Sequence, residues 1–364
     1  MLDFDDCSDT LGGHPSSPIL PALLALAEER GASGRDVLTA YVAGFEVETC
    51  LGRGVNFHHY EKGWHPTSTL GVFGASAACA HLMRLDAGRT AHALSLCASL
   101  AAGVKSNLGS MAKPMHIGHA SRSGLLAARL AAEGFTGNPE AMEHPHGFLD
   151  LFNGAGHYSI DQILNKWGSP WDIEFPGIAV KQFLCCLSTQ AAIDVMLDLS
   201  KTHDLVPARV AGVRARISAR RLEHTDRPAP RSALESKLSA QYVLACALAD
   251  REVGLRHFEG TAYLENDFRA LMERIAVVPL DDETLRTQGD FHADIEVTLS
   301  DGRRVSGNIT RPVGHSPGVP LDQASHYAKY LDCVLTQSQH DALYHAVQDI
   351  GACSDIRDLM KCVA

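Results

Sequence analysis

The sequence predicts a mostly helical protein carrying a second, α+β domain inserted into it. Three observations carry that expectation. Apolar residues recur at helical spacing through the first part of the chain. The segments 208–218 and 291–311 switch to apolar/polar alternation, and helical spacing returns after Pro320. The economical arrangement is a helical domain built from residues 1–177 and 317–364, with an α+β domain of antiparallel strands over 178–316.

The elements follow in order. Residues 18–30 (PILPALLALAEER) read as a helix that stops at Gly31, and residues 35–51 repeat the pattern. Segments 67–83 and 87–103 are rich in Ala, Leu and Gly, which suits closely packed interior helices, and 120–133 is helical up to Gly134. The texture changes near Phe175-Pro176. A helix is expected at 187–202, a half-buried strand at 208–218 and a helix at 237–249. Around Asp301-Gly302, two alternating runs predict a hairpin closed by a two-residue turn, because Asp-Gly matches the twist of the strands. Residues 322–335 and 340–350 close the chain as helices. A cleft between two such domains is a favoured ligand site.

Composition narrows the function. With 364 residues, 45% hydrophobic and 21% charged, the chain has the profile of a globular protein. No apolar run reaches the length of a bilayer span, and the acidic opening MLDFDDCSDTLGGHP does not suit a targeting segment, so a cytoplasmic setting is expected. Ten cysteines lie scattered without a CxxC pair, which argues for reduced, buried thiols rather than a zinc site. A formal charge of −11 disfavours nucleic acid as a partner. A small anionic substrate would need a local cationic pocket.

Four clusters could carry chemistry. The first, Asp3, Asp5, Asp6, Asp9 and His14, lies in a polar loop that also suits capping of the next helix; it lacks the spacing of a calcium loop. The second, HHYEKGWHPTSTLG at 58–71, puts His65 before Pro66 at a helix entry, where a carboxylate would be welcome and where a capping histidine is the plainer alternative. The third, KSNLGSMAKPMHIGHASRSG at 105–124, is the most cationic stretch: Lys105, Lys113, His116, His119 and Arg122 lie among small apolar residues. Its His116-Ile117-Gly118-His119 matches a tetrapeptide of class I aminoacyl-tRNA synthetases. A preceding parallel strand and a KMSKS-type loop are both missing, and the charge disfavours tRNA. The fourth, IAVKQFLCC at 178–186, holds Lys181 in an apolar run, either snorkelling or held in a cleft. Cys185 and Cys186 follow it with no charge pattern nearby that argues for a thiolate, so packing is expected of at least one.

Taken in order, these clusters resemble the MmgE/PrpD family. The resemblance rests on DFDD…GGHPS at 3–16, GASGRDVLTAYVAGFEV at 31–47, GWHPTSTLGVFGASAACA at 63–80 and KPMHIGHASRSGLLAARLAAEGFTG at 113–137. It continues through HGFLDLFNG at 146–154, KQFLCCLSTQAAIDV at 181–195 and KLSAQYVLACAL at 237–248, and so spans almost the whole chain. It implies a helical domain plus a smaller α+β domain, usually as a homodimer, and activities such as 2-methylcitrate dehydration, cis-aconitate decarboxylation and iminodisuccinate epimerisation. It also implies that no metal or other cofactor takes part. By matching position, the site would fall on Asp3, His14, His65, Lys113, Lys181 and Tyr242.

The chemistry these activities share is a carbanion beside a carboxylate. Lysines and a protonated histidine stabilise such charge, and a histidine or tyrosine moves the proton. His14 and His65 are therefore expected to transfer protons, with Asp3 orienting and Tyr242 donating to substrate; Lys113, Lys181 and Cys186 are expected to hold it. Cys186 stands where the cis-aconitate decarboxylase branch carries histidine, and relatives normally place several helices before DFDD. The expected activity is a metal-independent dehydration of a 2-methylcitrate-like tricarboxylate. The alternatives are an epimerase or isomerase of an imino- or amino-dicarboxylate, a cis-aconitate-type decarboxylase, or a truncated, catalytically silent relative.

Overall fold

A computed structural model describes residues 3–331 and 336–363, so the last residues of the helix expected at 322–335 lie outside the described residues. The chain divides into two compact units: Asp5–Ala179 with Val334–Ala364, and Met1–Phe4 with Val180–Cys333. Residues 317–331, expected in the helical domain, therefore cluster with the other unit. Helical periodicity identifies such a segment but not its packing partner.

The helical unit begins with α1, Ser16–Arg30, which buries Ile19, Leu23 and Leu26 and ends at Gly31 in the left-handed region (φ 59°). Helix α2, Gly34–Val55, starts under a cap from Ser33, whose Oγ accepts from the Asp36 amide. Helix α3, Gly71–Leu82, is buried for most of its length. It packs on α2 at backbone distance: a Cβ on Gly44 would stand 2.5 Å from the Gly74 carbonyl oxygen. Helices α4, Ala87–Leu100, and α5, Ala112–Ala132, complete the bundle around α3. The fifth helix starts eight residues before the segment expected from sequence, because Pro114 falls in its first turn, where a missing N–H costs nothing. The helices Gln337–Gln348 and Ile356–Met360 belong to the same unit, and Ile356 and Leu359 join Ile19, Leu23 and Phe45 in one core.

In the second unit, α6 (Leu187–Thr202) precedes strand β1 (Val210–Ile217), and α7 (Ala240–Asp250) precedes β2 (Ile275–Pro279). Strands β3 (Ala293–Leu299) and β4 (Arg304–Ile309) close a four-stranded sheet of order β2-β1-β3-β4. The alternation read at 208–218 holds from Val213 through Ala215 to Ile217, all facing the core, while a register shift between Val210 and Gly212 interrupts it at the start of β1.

Two expectations are corrected here. The sheet is mixed: β1 pairs antiparallel with β3 but parallel with β2, through a crossover that carries α7. The five-residue run Ile275–Pro279 ends in proline and is too short for its period to decide between strand and helix. The hairpin turn is also longer than two residues. The last β3–β4 pair is Thr298 with Arg304, and Gly302 takes the left-handed position (φ 86°) of a bulged loop.

Candidate active site

In the helical unit, the loop before α1 and the turn before α3 bring two histidines into one polar cluster. His14 is held from several sides. Its amide donates to Thr67 Oγ1 (3.1 Å), and its Nδ1 lies 2.9 Å from the Asp6 carbonyl oxygen and 3.2 Å from Asp5 Oδ2. A carbonyl oxygen can only accept, so Nδ1 carries a proton, and a neutral ring then has Nε2 as its acceptor. Cys7 Sγ lies 3.3 Å from the same Nδ1. Asp6 is itself fixed, accepting from the Ser16 amide (3.1 Å) and hydroxyl (2.7 Å).

His65 ends an extended stretch before Pro66, and its carbonyl accepts the amides of Ser68 (2.9 Å) and Thr69 (3.0 Å) in the short helix Pro66–Thr69. It is buried. Burial first, then the neighbouring His14, Lys113 and His116, holds its pKa well below the ordinary value, with Asp5 opposing. At neutral pH, His65 is therefore an uncharged imidazole in cationic surroundings. The protonated His65 expected from sequence gives way to a neutral one. Lys113 stands in the first turn of α5 and acts on His65 as a positive group.

In the α+β unit, Lys181 is buried, and its Nζ donates to the Asp3 carbonyl (3.1 Å) and lies 3.3 Å from Asp3 Oδ1. Burial pushes the Cys185 thiol up to about 12, as expected of a packing residue. Cys186 behaves differently. Burial raises its pKa, but the charge and hydrogen bond of His224, with the Ser188 amide, outweigh burial and lower it to about 6. His224 Nε2 in turn lies 3.0 Å from Ser188 Oγ, and Cys186 caps the N-terminus of α6. The charge pattern absent from the neighbouring sequence is thus supplied by a residue from the helix Ala219–Thr225.

Tyr242 lies in the core of the same unit. It has no exposed surface, its ring packs edge-on against Phe258 and Phe268, and its hydroxyl donates to the His257 carbonyl (2.6 Å). Burial raises its pKa further. The structure thus gathers His14, His65 and Lys113 in one unit and Asp3, Lys181 and Cys186 in the other, and leaves Tyr242 out. Sequence reasoning missed His224, which nothing in the local pattern marks. It noted His116 without giving it a role. Among the described residues, no group of three or more His, Cys, Asp or Glu could hold a metal ion, and no helix is long and apolar enough to cross a membrane.

Comparison with known proteins bears on this arrangement. A family model described as the MmgE/PrpD N-terminal domain matches residues 1–161, and one described as the MmgE/PrpD C-terminal domain matches residues 183–349. The human cis-aconitate decarboxylase is 28% identical over 378 residues, covering 99% of this chain and 76% of that protein. The mouse cis-aconitate decarboxylase is 27% identical with the same coverage. The Aspergillus terreus cis-aconitate decarboxylase is 25% identical, covering 99% of this chain and 78% of its own length.

Proposed function

The chain belongs to the MmgE/PrpD family, and from that premise we propose that it is a lyase acting on a small polycarboxylate through a carbanion formed beside a carboxylate. One observation carries the proposal: His65, kept neutral, shares a cluster with His14 and the Lys113 ammonium. A positioned cation stabilises the developing charge, and neutral imidazoles accept or return the proton. Asp3, Lys181 and Cys186, with His224, form the second set assigned to substrate, with Lys181 as a carboxylate anchor.

Within the lyase class, decarboxylation of a cis-aconitate-like tricarboxylate comes first, supported by the named activity of the similar proteins. The bond to the departing carboxylate breaks, and its electron pair moves through the adjacent double bond. A proton that His14 or His65 first takes up from water is passed to that carbon and completes the new C–H bond. No oxidant or reductant is consumed. His224 beside Cys186 supplies an imidazole where the decarboxylase branch has its histidine. Dehydration of a 2-methylcitrate-like substrate is the second proposal, favoured by two histidines able to serve as base and acid. The expected assembly is a homodimer, which sedimentation would check.

Proton NMR in D₂O separates the two. cis-Aconitate, citrate and 2-methylcitrate are each incubated with the chain and with its Lys113→Ala variant. Loss of a carboxylate with deuterium gained at carbon marks a decarboxylase, and loss of water marks a dehydratase. If the parent turns over none of the three, or the variant matches the parent, the proposal fails.

A further inference from the structure

His116 and His65 face each other through the same ring atom. Their Nδ1 atoms lie 3.4 Å apart, the ring centroids are 5.6 Å apart and the rings are inclined by 51°. Both side chains are buried. The approach is built in from the backbone. The His65 amide donates to the Gly103 carbonyl (3.2 Å), and the Ser68 hydroxyl lies between the Ala102 carbonyl (2.5 Å) and the His116 carbonyl (3.1 Å), tying the turn that holds His65 to α5. Gly103 sits at φ 127°, where a Cβ would stand 3.0 Å from Ser68 Cβ and 3.5 Å from His116 Cγ. A side chain at this position would be strained by its φ and crowded against Ser68.

Two Nδ1 atoms at this distance share one proton. If both rings carried a proton there, two N–H groups would collide; if neither did, two lone pairs would face each other in a buried site. His116 therefore decides which nitrogen of His65 carries hydrogen. The charges around the pair choose the direction. His14 and Lys113 act on His65 as positive groups and Asp5 as a negative one, while only His119 acts comparably on His116. A ring among cations is most stable with a lone pair, rather than a proton, on its remaining nitrogen.

We infer that His116 is the positioning residue of His65: it accepts a hydrogen bond from His65 Nδ1–H, and so leaves His65 Nε2 as a base. When His65 takes a proton, neutral His116 stabilises the resulting imidazolium, in the way that a buried acceptor orients a catalytic histidine. This deepens the lyase proposal and rests on it for its catalytic meaning. It also gives a role to the first histidine of the 116–119 tetrapeptide.

The test begins without substrate. Long-range ¹H–¹⁵N spectra of the full chain, with ¹⁵N-labelled histidine, report which nitrogen of each ring is protonated. At neutral pH, His65 should carry its proton on Nδ1 and His116 on Nε2. His116→Phe removes the acceptor and should switch His65 to the Nε2–H form, whereas His116→Gln, whose carbonyl can accept, should restore Nδ1–H. The resonances of His59 serve as a check on folding. An Nε2–H form of His65 in the parent overturns the inference even if neither variant folds, and so does a tautomer unmoved by His116→Phe. In turnover assays, His116→Phe should lower kcat by about 10–100-fold with little change in KM, and His116→Gln should recover part of it. A change in KM alone overturns the positioning role. A parent inactive on every polycarboxylate would sink the lyase proposal while the tautomer result stood.

Discussion

At the scale of single residues, environment sorts side chains that the sequence presents as equals. Cys185 and Cys186 are adjacent, yet one is a buried thiol pushed up to about 12 and the other is brought down to about 6 by His224. The thiolate is the reactive form, so the sign is direct: alkylation of Cys186 by iodoacetamide should rise as pH passes through about 6 and level off above it. At pH 7, peptide mapping should find Cys186 labelled ahead of Cys353 and Cys362, which are also partly accessible. His224→Asn should move the midpoint toward the ordinary thiol value of about 8.5. A Cys186 profile indifferent to that substitution would remove His224 as the cause. The same logic applies to Tyr242. Its motif matched the family site, but only three-dimensional packing reveals that its hydroxyl is spent on a carbonyl in the core.

At the scale of elements, close helix packing and buried polar links control stability. A Cβ on Gly124 of α5 would stand 2.6 Å from Ala75 Cβ and 2.7 Å from the Val72 carbonyl oxygen on α3. Gly118, on the same helix, meets nothing within 4 Å. Gly124→Ala should therefore destabilise by about 1–3 kcal/mol through overpacking, while Gly118→Ala should stabilise by roughly 0.5–1 kcal/mol through helix propensity. Urea unfolding of the two variants checks both signs. The short helix His58–Glu61 makes a second case. Its His59 bridges Asn153 Oδ1 (2.9 Å) and Thr69 Oγ1 (2.8 Å), and burial, ahead of every other influence, lowers its pKa to about 4. The folded chain thus resists a proton that the unfolded chain accepts near 6.5. The stabilisation is complete above that value and is lost as pH falls toward 4, on the order of 3 kcal/mol in all. His65 contributes with the same sign. His59→Gln should flatten the fall of Tm across this window, and an unchanged slope would assign the acid sensitivity elsewhere.

At the scale of the whole molecule, the fold was legible where one period rules and obscure where partners decide. Helices such as Leu187–Thr202 and the strand Val210–Ile217 followed from spacing alone. The parallel pairing of β2, and the unit to which Gln323–Leu331 belongs, depend on contacts far apart in sequence. The site divides in the same way. Motif order pointed to His14, His65, Lys113 and Lys181, whereas the charge state of His65 and the partnership of Cys186 with His224 arise only when distant segments meet. The global charge tests the result. At −11, the chain repels a tricarboxylate on average, so binding has to come from local cations. A tricarboxylate at about 100 times its Kd should stabilise the chain by roughly 2.7 kcal/mol, visible as a rise in Tm. The rise should shrink with added salt to the extent that charge drives it, and acetate at equal ionic strength should not reproduce it. Lys113→Ala should abolish it. If that variant kept the full rise, the anion would be binding away from the histidine cluster, and the chemistry assigned to His65 would lose its substrate.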